Sequence, residues 1–437
     1  MRVTYYGQAC TLIEAAGRKI LTDPWLTEGA YLGTWFHTHV LADAGVTPHT
    51  FAKDIDYIFI SHEHEDHLDP ETLRQFDPDT PVLICRFPTP RFRDHLRTLG
   101  LTNVIERPSG EPLQLGDGLE VTIFGTAEYT NDAALLVRAE GHTVFNETDC
   151  KLGYADLQRL GAAGVDIGFY MFSGANWYPM LYDYPADVRR ALTLRRRRAL
   201  LKGLVQRVKL TRPKIVVPAA GPCTVLDPDL LWLNSPEDGI FIDPDEAVAA
   251  VKATVGNDAV NMAATDVWDS ETGMHRHAPP AFRLPRHTYI EEASARFAPQ
   301  IRAAREALPA AGGDLAARLA GFFDSALAVQ TPELRRRIGA RLAVAVSGPQ
   351  GGEWTVDFNS AGPTFVCDGL DPSWTYRIDV EDRLLYPFMT GAMPFFEDLL
   401  LSLRVRLARR PDTYNEPLYH FLYEPDPDKL RNWYAAH

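Results

Sequence analysis

The sequence predicts an α/β layered domain over residues 1–285 followed by a smaller α+β domain over residues 286–437. Three observations carry that division. Short apolar runs alternate with helical stretches through the first part. A proline-bearing stretch, "APPAFRLPR" from Ala278 to Arg286, then interrupts the pattern. Beyond it, amphipathic helices precede strands of alternating polarity, and 437 residues are too many for one small core.

"KILTDPW" and "YIFIS" read as buried strands, each ending at a loop rich in ligand-type residues. "VTIFGT", "ALLVRAEGHTVFNETD" and "KIVVPAA" repeat that form, the second with a hairpin turn at Glu140–Gly141. Between them "ETLRQF", "PRFRDHLRTLG" and "DLQRLGAAG" have helical spacing, the last two closing on glycine. In the second part "YIEEASARFAPQIRAAREAL" and "DLAARLAGFFDSALAV" are amphipathic helices, and "EWTVDF", "TFVCDG" and "YRIDVE" are half-buried strands.

Apolar residues make up 46% and charged residues 23%, ordinary values for a water-soluble globular protein. The formal net charge of -14 argues against a broad nucleic-acid surface. No signal-peptide pattern opens the chain, and no stretch approaches the roughly 20 apolar residues of a membrane helix, so a cytoplasmic protein without a membrane partner is expected. Cys10, Cys85, Cys150, Cys223 and Cys367 are scattered and form no CxxC pair. They fit a reducing compartment and exclude an iron–sulfur centre built from this chain alone.

His62, His64, Asp66 and His67 spell H-x-H-x-D-H directly behind a strand. Histidines two apart on an extended loop turn both imidazoles to one side, where they can share an ion. Asp66 and His67, one step on, can curl toward a second ion. Two ions so close need a bridging anion between them. A solvated polar loop is the bland alternative, and four ligand types in fixed order behind a strand weigh against it.

This motif, with "GQACTLIEAAGRKILTDPW" upstream, resembles the metallo-β-lactamase superfamily. The resemblance implies a four-layer αβ/βα sandwich with a dinuclear metal site along one edge. It makes Asp149, in "VFNETDC", the bridging aspartate. The place of the third histidine, in "FGTAEYTND", holds none, and Glu128 is the residue placed to replace it. The last histidine should follow "KIVVP", where Ala220 and Gly221 stand instead. Zinc favours nitrogen and sulfur donors, whereas iron or manganese suits this more oxygen-rich set. A glutamate in the third-histidine position is also similar to the di-iron β-hydroxylases of nonribosomal peptide assembly.

A longer stretch, "LLVRAEGHTVFNETDC", "MFSGANWYPMLYDYP" and "RPKIVVPAAGPC", resembles the metallo-β-lactamase-like part of CMP-N-acetylneuraminate hydroxylase. That family hydroxylates a nucleotide sugar with electrons from a Rieske domain. This chain begins directly at the sandwich, so electrons are expected from a ferredoxin-type partner, a reductant or the substrate itself. Asn176, Trp177 and Tyr178 are candidates to line a substrate pocket, or else belong to a packed loop. The arginine-rich "RRALTLRRRRALLKGLVQRV" reads as a solvated helix face more than as an anion site. His275 and His277 in "GMHRH" are late candidates for the missing ligand. The second domain resembles sterol-carrier-protein-2-like domains, with a structural role, homodimerisation included, preferred over lipid binding.

The resulting expectation is a di-iron enzyme that uses O2 to hydroxylate a small polar or anionic metabolite. His62, His64 and Glu128 would hold one iron, Asp66 and His67 the other, with Asp149 bridging. The alternative is a dinuclear zinc or manganese hydrolase of a phosphoester, lactone or amide. A third reading makes the chain a carrier with a vestigial metal site.

Overall fold

The loops singled out above meet because the strands before them run parallel. The structure is a computed structural model, and it describes residues 1–126, 131–174, 176–391, 393, 396–423, 425–428 and 430–431. Two compact units emerge: Met1–Ala30, Trp35–Ala175 and Leu192–Ala298 form the first, while Tyr31–Thr34, Asn176–Ala191 and Pro299–His437 form the second. The division thus falls inside the helix Arg286–Ala307, at Ala298/Pro299, and two earlier segments cluster with the second unit.

The first unit comprises β1 (Arg2–Gly7), β2 (Cys10–Ala15), β3 (Arg18–Thr22), β4 (Trp35–Phe36), β5 (Tyr57–Phe59), β6 (Val82–Cys85), β7 (Val104–Arg107), β8 (Pro112–Gly116) and β9 (Leu119–Thr126). It continues with β10 (Asp132–Ala139), β11 (His142–Asn146), β12 (Ile167–Met171), β13 (Ile215–Ala219), β14 (Thr224–Val225), β15 (Asp258–Ala259), β16 (Val267–Asp269) and β17 (Gly273–His275). One sheet has the order β17-β16-β1-β2-β3-β5-β6-β7 and the other β15-β13-β12-β11-β10-β9-β8, with β4 and β14 paired separately. Strands β3, β5, β6 and β7 are parallel, as are β11, β12, β13 and β15. Parallel strands deliver the loops after them to one edge, the usual place for a ligand site.

Side-chain alternation explains the layering. Along β10, Ala133, Leu135, Val137 and Ala139 join a core that also contains Val3, Ile13 and Ile58 of the other sheet. Ala134 and Leu136 point the opposite way, into a core shared with Leu157, Leu204 and Val251 of three helices. Strand β13 repeats the division, with Val217 on the sheet side and Val216 on the helix side. A strand buried on both faces reads as a continuous apolar run, which is what "ALLV" and "IVV" are. Each fully buried aliphatic side chain contributes about 1.5–3 kcal/mol to this sandwich. The β10–β11 turn falls where expected, with positive φ at Glu140 (55°) and Gly141 (78°), both needed by a type I′ hairpin.

The arginine-rich helix, Ala186–Thr211, differs from the solvated reading. Leu204 and Val208 do lie beneath it, but Arg197 is 7% exposed and donates to the Phe241 carbonyl at 2.7 Å. Arg207 also turns inward, to Glu147. Two arginines of the run therefore stabilise the interior through partners distant in sequence. Among the described residues, no helix is long and apolar enough to cross a membrane.

The second unit has one sheet in the order β20-β19-β18-β21-β22, formed by β18 (Arg341–Ser347), β19 (Gly352–Asp357), β20 (Val366–Asp368), β21 (Tyr376–Glu381) and β22 (Arg406–Arg409). Helices Leu315–Ala328 and Asp382–Met389 accompany it, with Leu319, Phe323, Leu384 and Phe388 buried. The expected α+β character of this part is therefore present.

Candidate metal centre

Position along the chain sets which motif side chains face inward. His62, His64, Asp66 and His67 are buried, while Glu63 and Glu65 between them are more exposed. Glu63 binds His95 Nδ1 at 2.9 Å, away from the cluster. His62 Nε2 and His64 Nδ1 stand 2.8 Å apart, so the two imidazoles turn to one point, as the spacing predicts. His67 Nε2 lies 3.6 Å from Asp66 Oδ2 and 3.8 Å from Asp149 Oδ2. One ligand atom each from His62, His67 and Asp149 falls within 4.8 Å of the others. Asp149 is thus within reach of both halves of the motif. Glu128, with residues 127–130, lies outside the described residues.

Two residues that sequence reasoning missed orient this group. Asp23 follows β3, and Ser61 follows β5, its parallel neighbour. The Ser61 amide donates to Asp23 Oδ1 at 2.7 Å, and the Ser61 hydroxyl lies 2.7 Å from Asp23 Oδ2. Ser61 Oγ is also 2.9 Å from His62 Nδ1, and Asp23 Oδ2 is 2.8 Å from His67 Nδ1. Each contact occupies Nδ1 and leaves Nε2 for an ion, the arrangement by which second partners fix a ligating histidine. Asp23 holds a positive φ of 36°, a conformation uncommon for a residue other than glycine. Its only sequence signal was its place directly after a strand.

The electrostatics fit a cation. Asp23, Asp66 and Asp149 surround His67, and Asp132 acts on Asp149 from close by. Burial raises Asp149 to about 6, opposed by His67 and reinforced by Asp66 and Asp132. Burial acts against a charged His67, yet Asp66, Asp23 and Asp149 bring it up to about 9. Burial, then His67 and His64, push His62 well below the ordinary imidazole range. Carboxylates crowded among buried imidazoles are the donor set of a divalent metal rather than of a solvated loop.

Of the two residues at the place of the last expected ligand, Gly221 is closed to a side chain by backbone geometry. Gly221 has φ 134°, and a Cβ there would fall 2.5 Å from the Ser173 carbonyl oxygen. No histidine fits at that residue, and Ala220 beside it is buried. His275 does not replace it: its Nε2 lies 2.7 Å from Thr272 Oγ1, and neither it nor exposed His277 joins the cluster. Asn176, Trp177 and Tyr178 belong to the second unit. There Trp177 stacks on Tyr419 at 6.1 Å, and Tyr178 faces the Arg409 guanidinium at 5.3 Å.

Residues 2–158 match the family model described as a β-lactamase superfamily domain. A Mycolicibacterium smegmatis protein, provisionally named a Rieske 2Fe-2S iron–sulfur protein, is 30% identical over 444 residues, covering 96% of this chain and 84% of that protein. The cytidine monophosphate-N-acetylneuraminic acid hydroxylase of Danio rerio is 31% identical over 240 residues, 52% of this chain and 39% of that enzyme. Among solved structures, the diiron β-hydroxylase CmlA of Streptomyces venezuelae is similar at 22% identity and a TM-score of 0.38, over 60% of this chain and 52% of that one. Metallo-hydrolases match at comparable scores. This chain belongs to the family of the mycobacterial relative, and its residues 2–158 form a β-lactamase-superfamily domain.

Proposed function

We propose that the protein is a di-iron, O2-dependent hydroxylase of a small polar metabolite, with electrons supplied by a ferredoxin-type partner, a reductant or the substrate. The observation that carries this reading is the donor set. Three imidazoles and two carboxylates converge at one sheet edge, while Ala220 and Gly221 stand where a nitrogen-rich zinc site would use a further histidine. Such a set suits iron and leaves a coordination position unfilled by the protein. Kinship with a sialic-acid hydroxylase and with a protein named for a Rieske cluster supports redox chemistry.

When bound, the irons would supply the activation of oxygen. The chain's own part is positional. His62 and His64 would bind one ion with Glu128, Asp66 and His67 the other, and Asp149 would bridge. Ser61 and Asp23 keep the His62 and His67 imidazoles presented through Nε2. We place the protein in the cytoplasm, in keeping with its five unpaired cysteines, four of them buried. We assign the second unit a sterol-carrier-protein-2-like structural role, homodimerisation included.

The unaltered H-x-H-x-D-H favours the second reading, a zinc or manganese hydrolase. The two separate by experiment. Oxygen uptake by iron-loaded protein given a chemical reductant, lost in His64→Ala and Asp149→Ala, supports the hydroxylase. Turnover of a chromogenic phosphoester or lactone by zinc-loaded protein, without oxygen uptake by the iron form, overturns it.

A further inference from the structure

Arg286, read from the sequence as part of a linker, is only 8% exposed. Its Nε donates to Thr224 Oγ1 at 3.2 Å, and its Nη2 to Asn234 Oδ1 at 3.0 Å and to the Cys223 carbonyl. All three acceptors are neutral. Among the described residues the guanidinium forms no ion pair, and Nη1 has no hydrogen-bond partner. A buried cation without a direct ion pair is costly, and Nη1, which is not among the buried atoms lacking a partner, opens onto the cavity.

Arg286 lines a cavity of the first unit together with Gln8, His39, Gly221, Asn261 and Arg283. His39 forms one wall, stacked on Phe282 at 4.7 Å between centroids and tilted against Tyr289 at 5.0 Å. Its Nε2 is buried without a hydrogen-bond partner. Arg283 is already committed to Asp266 at 2.5 Å. Two carboxylates also border the cavity, and both are engaged elsewhere. Asp243 accepts from the Asp245 amide as a helix cap, and Asp245 accepts from Asn261 Nδ2 at 3.0 Å. Asp243 attracts Arg286 through space but forms no ion pair with it.

We propose that this cavity binds a small organic oxyanion, a carboxylate or a phosphate, on the free Nη1 edge of Arg286, with His39 as the flanking imidazole. An oxyanion supplies both things Arg286 lacks, a directly paired counter-charge and an acceptor for Nη1, and charge-assisted contacts of this kind are the stronger hydrogen bonds. A purely bracing arginine accounts for the bonds to Cys223, Thr224 and Asn234. It leaves the cavity-facing edge without a role. Burial brings His39 to about 4, so near neutral pH it is an uncharged imidazole that offers a hydrogen bond without competing for the anion. The inference holds whichever metal the sheet edge carries.

The test titrates inorganic phosphate and, separately, acetate into the full chain, following the His39 imidazole signals by NMR and the heat by calorimetry. Both are run on metal-loaded and chelator-stripped protein, which separates an anion held by metal. The expected result is a saturable His39 shift at one anion per chain in both forms, with affinity reduced about tenfold or more in Arg286→Lys. Response to phosphate alone or to acetate alone selects the chemistry of the ligand. No His39 shift with either anion, binding only to the metal-loaded form, or unchanged affinity in a folded Arg286→Lys overturns the proposal. Should the variant not fold, the wild-type His39 titration decides it alone.

Discussion

Replacing Arg207 by alanine removes the cation paired with the fully buried Glu147 carboxylate. Arg207 Nε lies 2.8 Å from Glu147 Oε1, and the Glu147 side chain is 0% exposed. Breaking a buried pair by deleting one partner typically costs about 3–5 kcal/mol, because the remaining charge has no compensation. That cost depends on pH in a defined direction. Burial raises Glu147 from 4.5 to about 7 even though Arg207 pulls it down. A carboxyl whose folded value lies above its unfolded value binds its proton more tightly in the native state, so its contribution falls as pH rises through that window. Without Arg207 the folded value climbs further and the window extends upward. Arg207→Ala should therefore lose about 3–5 kcal/mol at pH 8 and clearly less at pH 5, where Glu147 is protonated in both proteins. Urea unfolding of metal-stripped protein, followed by circular dichroism at both pH values, measures this. An equal loss at pH 5 and pH 8, or less than about 1 kcal/mol at pH 8, would refute the reasoning.

Asp23→Asn and Ser61→Ala should weaken metal binding by about 10- to 100-fold while leaving every proposed ligand in place, as a chelator competition would show; unaltered affinity in both variants would deny them an orienting role. Gly221→Ala should lower stability by about 2–4 kcal/mol in chemical unfolding, since the added Cβ meets the Ser173 carbonyl at 2.5 Å with φ at 134°. Burial raises Glu28 to about 8 against its contact with the Leu41 amide, so wild-type stability should fall between about pH 4.5 and 8 by on the order of 4 kcal/mol. Glu28→Gln should flatten that slope, and a parallel pH profile would contradict the assignment.

Much of the first unit was legible because its signals are local. Glu140–Gly141 marks a hairpin turn between two apolar runs, and "ALLV" reads as a buried strand by composition. The motif placed His62, His64, Asp66 and His67 on the inner side and left Glu63 and Glu65 to face outward. Non-local pairing hid the rest. Asp23 orients His67 only because β3 lies parallel to β5, which no window of sequence reveals. Arg197, Arg207 and Arg286 read as surface or linker residues because their acceptors at Phe241, Glu147 and Asn234 come from other elements. Asn176, Trp177 and Tyr178 read equally as a pocket lining or a packed loop, and the neighbours of the two aromatics, Tyr419, Tyr182 and Arg409, come from distant parts of the second unit or from its own turn. A long-range partner, not a propensity, decides each of these cases.

Elemental analysis of anaerobically purified protein, with an absorption spectrum before and after oxygen is admitted, tests the central claim most directly. The account predicts about two irons per chain and a spectrum that changes on oxygenation. Two zincs per chain with no response to oxygen would contradict it and make hydrolysis the chemistry of this site.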